Sequence, residues 1–229
     1  MSPSRKTALV AGVLYLLTFV SIPTLALYGP VHDPNYILGP GPDTAVLVGG
    51  ILEVIVALAG VGTAVVLFPV LRRQNEAMAL GLVGSRTLEG AGILAGVACL
   101  LSIVSLRQAG AGGDALVAGQ TLAILYNRIF LLSQSLMPAV NDLLLGYLLY
   151  QSRLVPRVLP LIAFVGAPLL LASDLAVLFG LWGQNSTPTA LAALPVALFE
   201  FSLGVYLVVK GFEHAPLLSH DSQESSESG

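Results

Sequence analysis

Glu53, Arg86, Glu89, Arg128, Asp142, Asp174 and Glu200 each interrupt a stretch of otherwise apolar residues. At the centre of a membrane helix one such charge costs about 2.5 to 3.5 kcal/mol, so several facing lipid would cost on the order of 10 kcal/mol. They must therefore face inward, pair, snorkel or carry protons. Five are acids and two are arginines. Full neutralisation inside one bundle then requires protonated acids or a bound cation. That surplus is the main functional signal in the chain.

Their spacing places them on shared helix faces. Gly49, Glu53, Ala57, Gly60 and Ala64 form a small-residue stripe that carries an acid, and Ser85, Glu89, Gly92 and Gly96 form another. Such stripes let a second helix approach closely. Arg86 stands three residues before Glu89 and within reach of it as an ion pair. Asn127, Gln134 and Asn141 repeat at seven residues, as do Arg128, Ser135 and Asp142, giving a broad polar face around Pro138. Counting from the ends of the apolar stretches, Arg86, Glu89 and Asp142 fall toward the cytoplasmic half. Glu53, Arg128 and Asp174 fall toward the outer half, and Glu200 near the middle. We expect Arg86 to pair with Glu89 or Asp142, and Arg128 with Glu53 or Asp174. The intramembrane network expected from the sequence is thus Glu53, Arg86, Glu89, Arg128, Gln134, Asn141, Asp142, Asp174 and Glu200. The competing reading is that these pairs only fix helix register and hold the bundle together.

Covalent catalysis finds little support. His32, His214 and His220 fall outside the apolar stretches, so no histidine is placed to act as base or ligand there. Each reads as a solvated side chain. Gly110–Gly113 lacks the Lys and Ser/Thr of a phosphate-binding loop, and no Gly-x-Ser-x-Gly elbow is present. The single cysteine, Cys99, has no companion for a disulfide or a metal site. No catalytic, cofactor or metal site is expected. A net charge of −3 gives no basic field for nucleic acid.

The elements that must position these side chains are long apolar helices. Of 229 residues, 55% are hydrophobic and 10% charged, and the mean hydropathy is +0.86, too little polar surface for a soluble domain of this size. Crossing about 30 Å of hydrocarbon takes about 20 apolar residues. Six stretches qualify, near Thr7–Tyr28, Thr44–Leu71, Leu80–Leu106, Thr121–Tyr150, Val158–Trp182 and Thr189–Lys210. Arg5, Lys6, Arg72, Arg73, Arg153, Arg157 and Lys210 fall on one side of this layout. Because short cationic loops stay in the cytoplasm, both termini are expected there. Tyr28, Tyr36 and Trp182 read as an outer aromatic belt. The expected architecture is an all-α, polytopic helix bundle of about six spans over residues 1–212, followed by a disordered acidic, Ser-rich tail over 213–229.

The run Gly146-Tyr147-Leu148-Leu149-Tyr150-Gln151-Ser152-Arg153-Leu154-Val155-Pro156-Arg157-Val158-Leu159, Asp174 in the next span, and Leu194-Pro195 through Glu200 to Val209-Lys210-Gly211 resemble the bacterial membrane family called domain of unknown function 4386. Ala11-Gly12-Val13-Leu14-Tyr15-Leu16 and the Arg86/Glu89 pair are similar to its pattern as well. The resemblance runs from Ala8 to about Phe212. It implies a multi-span protein of a bacterial cytoplasmic membrane and assigns no activity.

Two function classes remain. One is a bundle that binds or translocates a proton, cation or small solute through its acidic network. The other is a non-transporting structural or accessory subunit whose small-residue stripes bind a partner helix, in a homo-oligomer or beside another membrane protein. Beyond the lipid bilayer itself, no partner is specified. A water-accessible cavity touching Glu53, Asp142, Asp174 or Glu200 favours the first class, and a dry core with every charge paired favours the second.

Overall fold

The computed structural model describes residues 2–33, 35–39 and 42–213; the expected tail from 214 onward, with His214 and His220, lies outside the described residues. Helices account for the regular structure: α1 (Pro3–Thr18), α2 (Thr24–Leu27), α3 (Thr44–Leu71), α4 (Glu76–Gln108), α5 (Leu116–Phe130), α6 (Leu136–Ser152), α7 (Val158–Leu178) and α8 (Thr187–Val209). A π-helical turn, Leu131–Ser135, joins α5 to α6. No strand occurs among the described residues.

Five helical segments are long and apolar enough to cross a membrane: α3, α4, the continuous α5–α6 segment, α7 and α8. The first expected span is shortened. Its helix ends at Thr18 after 16 residues and continues as a 3-10 turn, Phe19–Ser21. The hydroxyls of Thr18 and Ser21 donate back to the carbonyls of Tyr15 and Thr18, at 2.7 and 3.0 Å. Such back-bonding bends helices, and Pro23 two residues on has no N–H to continue the ladder.

Local sequence sets the other boundaries. Ser2 and Asn75 cap α1 and α4 by accepting from the backbone N–H of Arg5 and Met78. Pro138 cannot donate to the carbonyl one turn earlier, and the π turn is where the ladder widens just before it. The Arg72–Asn75 connection and the Arg153–Arg157 connection lie at the same end of the bundle as the start of α1 and the end of α8. Arg5 fixes that end by donating to the carbonyls of Leu207 and Val208 at the C-terminus of α8, at 2.8 and 2.6 Å. The expected cationic residues therefore share one face, called here the terminal face.

Six helices close a ring in the order α1, α3, α4, α6, α7, α8 and back to α1. Its terminal half is filled by an apolar core that includes Ala8, Tyr15, Leu67, Leu71, Leu82, Leu145, Leu149, Phe199, Leu203 and Leu207. The opposite, distal half is built differently. At 1.5 Å per residue, α3 and α4 extend about 42 and 50 Å against about 31 and 34 Å for α7 and α8. The surplus length lies on the distal side, where residues of the 19–43 connection pack over it. Tyr28, Val31, Tyr36 and Ile37 join Val46, Leu100, Ile103, Val104 and Tyr126 in a second apolar core. Tyr28 and Tyr36 are thus not belt residues facing lipid; they are 2% and 8% exposed.

Asp43 secures this distal cap. It pairs with Arg107 at 3.0 Å and accepts from the Tyr36 hydroxyl at 2.8 Å and from Gln108 at 3.0 Å. Burial opposes its charge, but these hydrogen bonds and the guanidinium outweigh it and hold the carboxyl below its ordinary 3.8. A depressed folded value contributes stability above the unfolded one and loses it as pH falls through the folded one. Asp43→Asn should therefore cost about 1–3 kcal/mol at pH 7, with the gap in Tm from wild type closing as the pH is taken below 3.8.

Close helix crossings depend on glycine at several places around the ring, among them two on α1 and α4. A Cβ on Gly12 would stand 2.7 Å from the Gly204 carbonyl oxygen, where α1 meets α8. A Cβ on Gly92 would stand 2.3 Å from the Ser133 Cβ, where α4 meets the π turn. Gly12→Leu is expected to force α1 off α8 at a cost of about 1–3 kcal/mol, read as a lower Tm in detergent, whereas Gly84→Ala at an open position should leave Tm nearly unchanged.

Candidate functional site

Ring closure brings the central acids together. From α4, Ser85, Arg86 and Glu89 point to the interior; α6 contributes Asn141 and Asp142, α8 contributes Glu200, and α1 contributes Tyr15. Arg86 Nη1 donates to Glu89 Oε2 at 3.0 Å, and Nη2 donates to Glu200. The pairing with Glu89 follows the expected spacing; the pairing with Glu200 joins residues 114 apart in sequence. Asn141 donates to the same Glu89 oxygen at 2.7 Å and accepts from the Ser85 hydroxyl. The guanidinium also lies over the Tyr15 ring, 5.5 Å from its centroid.

Asp142 is fully buried beside this group, and neither of its carboxyl oxygens has a hydrogen-bond partner. One guanidinium therefore faces three carboxylates. Coulomb repulsion and lost hydration in so poor a dielectric forbid a bare surplus of two negative charges. Protons or an added cation must complete the balance.

A cavity of about 740 Å³ ends on this cluster. Its floor is Arg86, Glu89 and Glu200; its walls include Val56, Ile93, Phe130, Leu170 and Val196; its mouth carries Gln184, Asn185, Ser186 and Thr189 from the α7–α8 connection and the start of α8. The mouth is on the distal side, while the terminal apolar core closes the other end. Glu89 and Glu200 keep 10% and 14% of their side-chain surface accessible and Arg86 only 3%, so the acids meet the cavity and the arginine lies behind them.

The remaining predicted residues form two separate groups. Glu53 on α3 accepts from the Tyr126 hydroxyl at 3.1 Å and from Gln134 at 3.4 Å. Asp174 on α7 accepts from Ser135 at 2.6 Å. Gln134 and Ser135 both belong to the π turn and both line the cavity. Arg128 joins neither acid: it is exposed, and no ion pair to it exists among the described residues. Residues 128 to 152 span about 36 Å of helix, more than the hydrocarbon thickness, so Arg128 reaches the distal interface. Tyr15, Tyr28 and Tyr126 were not anticipated as members of the site. Tyr15 shares the Ala8–Ala11–Gly12 face of α1 at helical spacing, which is the signal that pointed inward.

The fold and the cavity define a polytopic helical membrane protein with a polar, charged interior open to one face. Residues 10–211 match the family described as domain of unknown function (DUF4386), and the chain belongs to that family. No curated protein and no solved structure matches it.

Because Arg86 holds two buried acids, Arg86→Met should cost about 3–5 kcal/mol by stranding them. Adding Glu89→Gln and Glu200→Gln to Arg86→Met should recover a large part of that loss in detergent unfolding. Independent, additive losses would show that Arg86 is not the partner that holds these acids.

Proposed function

We propose that this protein takes a small, partly apolar cationic solute, such as an amine, into its intramembrane cavity and neutralises it on Glu200 and Glu89. The single observation that carries this reading is the excess of acid over base at the floor of a cavity whose walls are apolar. An anionic solute would meet Glu89 and Glu200 before it met Arg86, whose two outer nitrogens are already engaged. A neutral solute would leave the charge surplus unanswered. A cation supplies what the cluster lacks, and protons supply it when the cavity is empty, so binding should release protons. The role as a purely structural subunit calls for a dry interior with every charge paired, and Glu200 instead lines a cavity while Asp142 has no partner.

The positive-inside rule places the terminal face, with Arg5, Lys6, Arg72, Arg73, Arg153, Arg157 and Lys210, in the cytoplasm of a bacterial plasma membrane. The cavity then opens outward and is closed toward the cytoplasm by the core around Leu71, Leu149 and Leu207. Movement of α1 or α8 relative to the rest of the ring is the change that would expose the floor to the other side.

The test uses three probes of similar size: phenethylamine, phenylethanol and phenylacetate. The amine should bind saturably to the purified protein, and Glu200→Gln should weaken it about tenfold or more. In proteoliposomes holding a pH-sensitive dye, the amine should evoke a proton signal that Glu200→Gln and Asp142→Asn reduce. Preference for the carboxylate would make Arg86 the recognition group and overturn the assignment; absence of binding by all three would favour the accessory reading.

A further inference from the structure

Glu53 is fully buried on α3, yet its partners are neutral: the Tyr126 hydroxyl and the Gln134 amide both go to Oε1. The second oxygen, Oε2, has no hydrogen-bond partner. Against the carboxyl stands the hydroxyl of Tyr28, itself 2% exposed. A buried carboxylate whose neighbours are all neutral has no charge beside it to answer its own. The surrounding backbone is arranged to hold both rings there. A Cβ on Gly49 would lie 2.5 Å from the Tyr28 ring, and one on Gly96 would lie 3.2 Å from the Tyr126 ring. The rings meet edge to face at 5.6 Å.

We propose that Glu53, Tyr28, Tyr126 and Gln134 form a binding site for a monovalent alkali cation, with sodium as its ligand. All the donors offered are oxygens, the choice of a hard cation. Glu53 brings one negative charge, which a monovalent ion cancels; a divalent ion would leave a net positive charge buried. The Gln134 carbonyl oxygen becomes available by rotation of its amide, and the Tyr126 hydroxyl oxygen keeps lone pairs to offer an ion. A distal pocket of about 230 Å³, lined by His32, Asn127, Gln184 and Asn185 among others, reaches the Tyr28 and Tyr126 side of this group. Glu53 does not line the cavity above the Arg86 cluster, whereas Gln134 does, so the ion site adjoins the solute site through one shared side chain while its carboxylate is a different one.

Binding of radioactive sodium to the full-length purified protein, in choline buffer at pH 8, tests the assignment. Wild type should bind sodium saturably and gain Tm as sodium replaces choline at constant ionic strength. Glu53→Gln should abolish both effects, and Tyr28→Phe should weaken sodium binding about tenfold. Glu200→Gln should lose the amine while still binding sodium, so failure at one site is distinguishable from failure at the other. If Glu53→Gln does not fold, Tyr28→Phe and Tyr126→Phe decide the matter. The proposal is overturned if wild type binds no sodium while its Tm still tracks pH, which would make Glu53 a proton carrier only. It is equally overturned if the variant lacking the Glu53 charge, or both phenylalanine variants, bind sodium like wild type.

Discussion

A carboxylate surrounded by hydrocarbon has no solvent to hold its charge, and every larger feature of this protein answers that constraint. Glu53, Glu89, Asp142, Asp174 and Glu200 come from five different helices. No pair of those helices shelters them all, so the helices must close on themselves. The ring α1–α3–α4–α6–α7–α8 is the arrangement in which the helices turn these acids inward, into one central cluster and two flanking groups, and their Leu, Val and Ile side chains to lipid. The exposed Leu58, Val65, Leu88, Val165, Leu169, Leu198 and Val209 are the outer surface this requires. Exposure of such side chains would be a liability in water and is the expected solvation in a bilayer.

Within the ring, packing divides labour along the membrane normal. Near the termini the helices are drawn together, with Gly12 against Gly204 and apolar side chains filling the space between. Dispersion contacts do the holding there, since lipid tails are as apolar as leucine and supply no hydrophobic force between helices. Toward the distal side the same helices enclose a cavity, and stability is carried instead by the cap, where Arg107 bridges Asp43 and the Gly39 carbonyl while lying over Tyr36. The cap compensates for cohesion that the cavity removes. A sealed end and an open end on one ring give the interior a direction.

The architecture was largely legible in the sequence because hydropathy and cation placement are local quantities. The expected span Thr44–Leu71 coincides with α3, and Val158 begins α7 as expected. The pairing of Arg86 with Glu89 was legible for the same reason, since residues three apart on a helix are neighbours. Glu200 as the second partner of Arg86 was not, because that contact depends on how α8 closes against α4. Arg128 was placed among the acids by a seven-residue repeat, but that repeat assumes one uninterrupted helix from Thr121 to Tyr150. The π turn at Leu131–Ser135 breaks the phase, so Arg128 and Asp142 do not share a face. The shortening of the first span was likewise hidden in side-chain hydroxyls that bond back to the helix, an effect no hydropathy scale records.

That phase break has a consequence for how the interior groups are linked. In an α-helix, consecutive residues point about 100° apart, and the π turn places Gln134 toward Glu53 on α3 and Ser135 toward Asp174 on α7. Both residues also face the cavity. A molecule that forms hydrogen bonds with Gln134 or Ser135 competes with the bonds those side chains give to two acids outside the central cluster. Pro138, also on the cavity wall, removes a backbone bond that would otherwise stiffen this turn, so the segment between the three acidic groups lacks one rung of the helical ladder. Occupancy of the cavity is thereby tied to the hydrogen bonding of Glu53 and Asp174 through two adjacent side chains on one widened turn, without any requirement that the rest of the ring move.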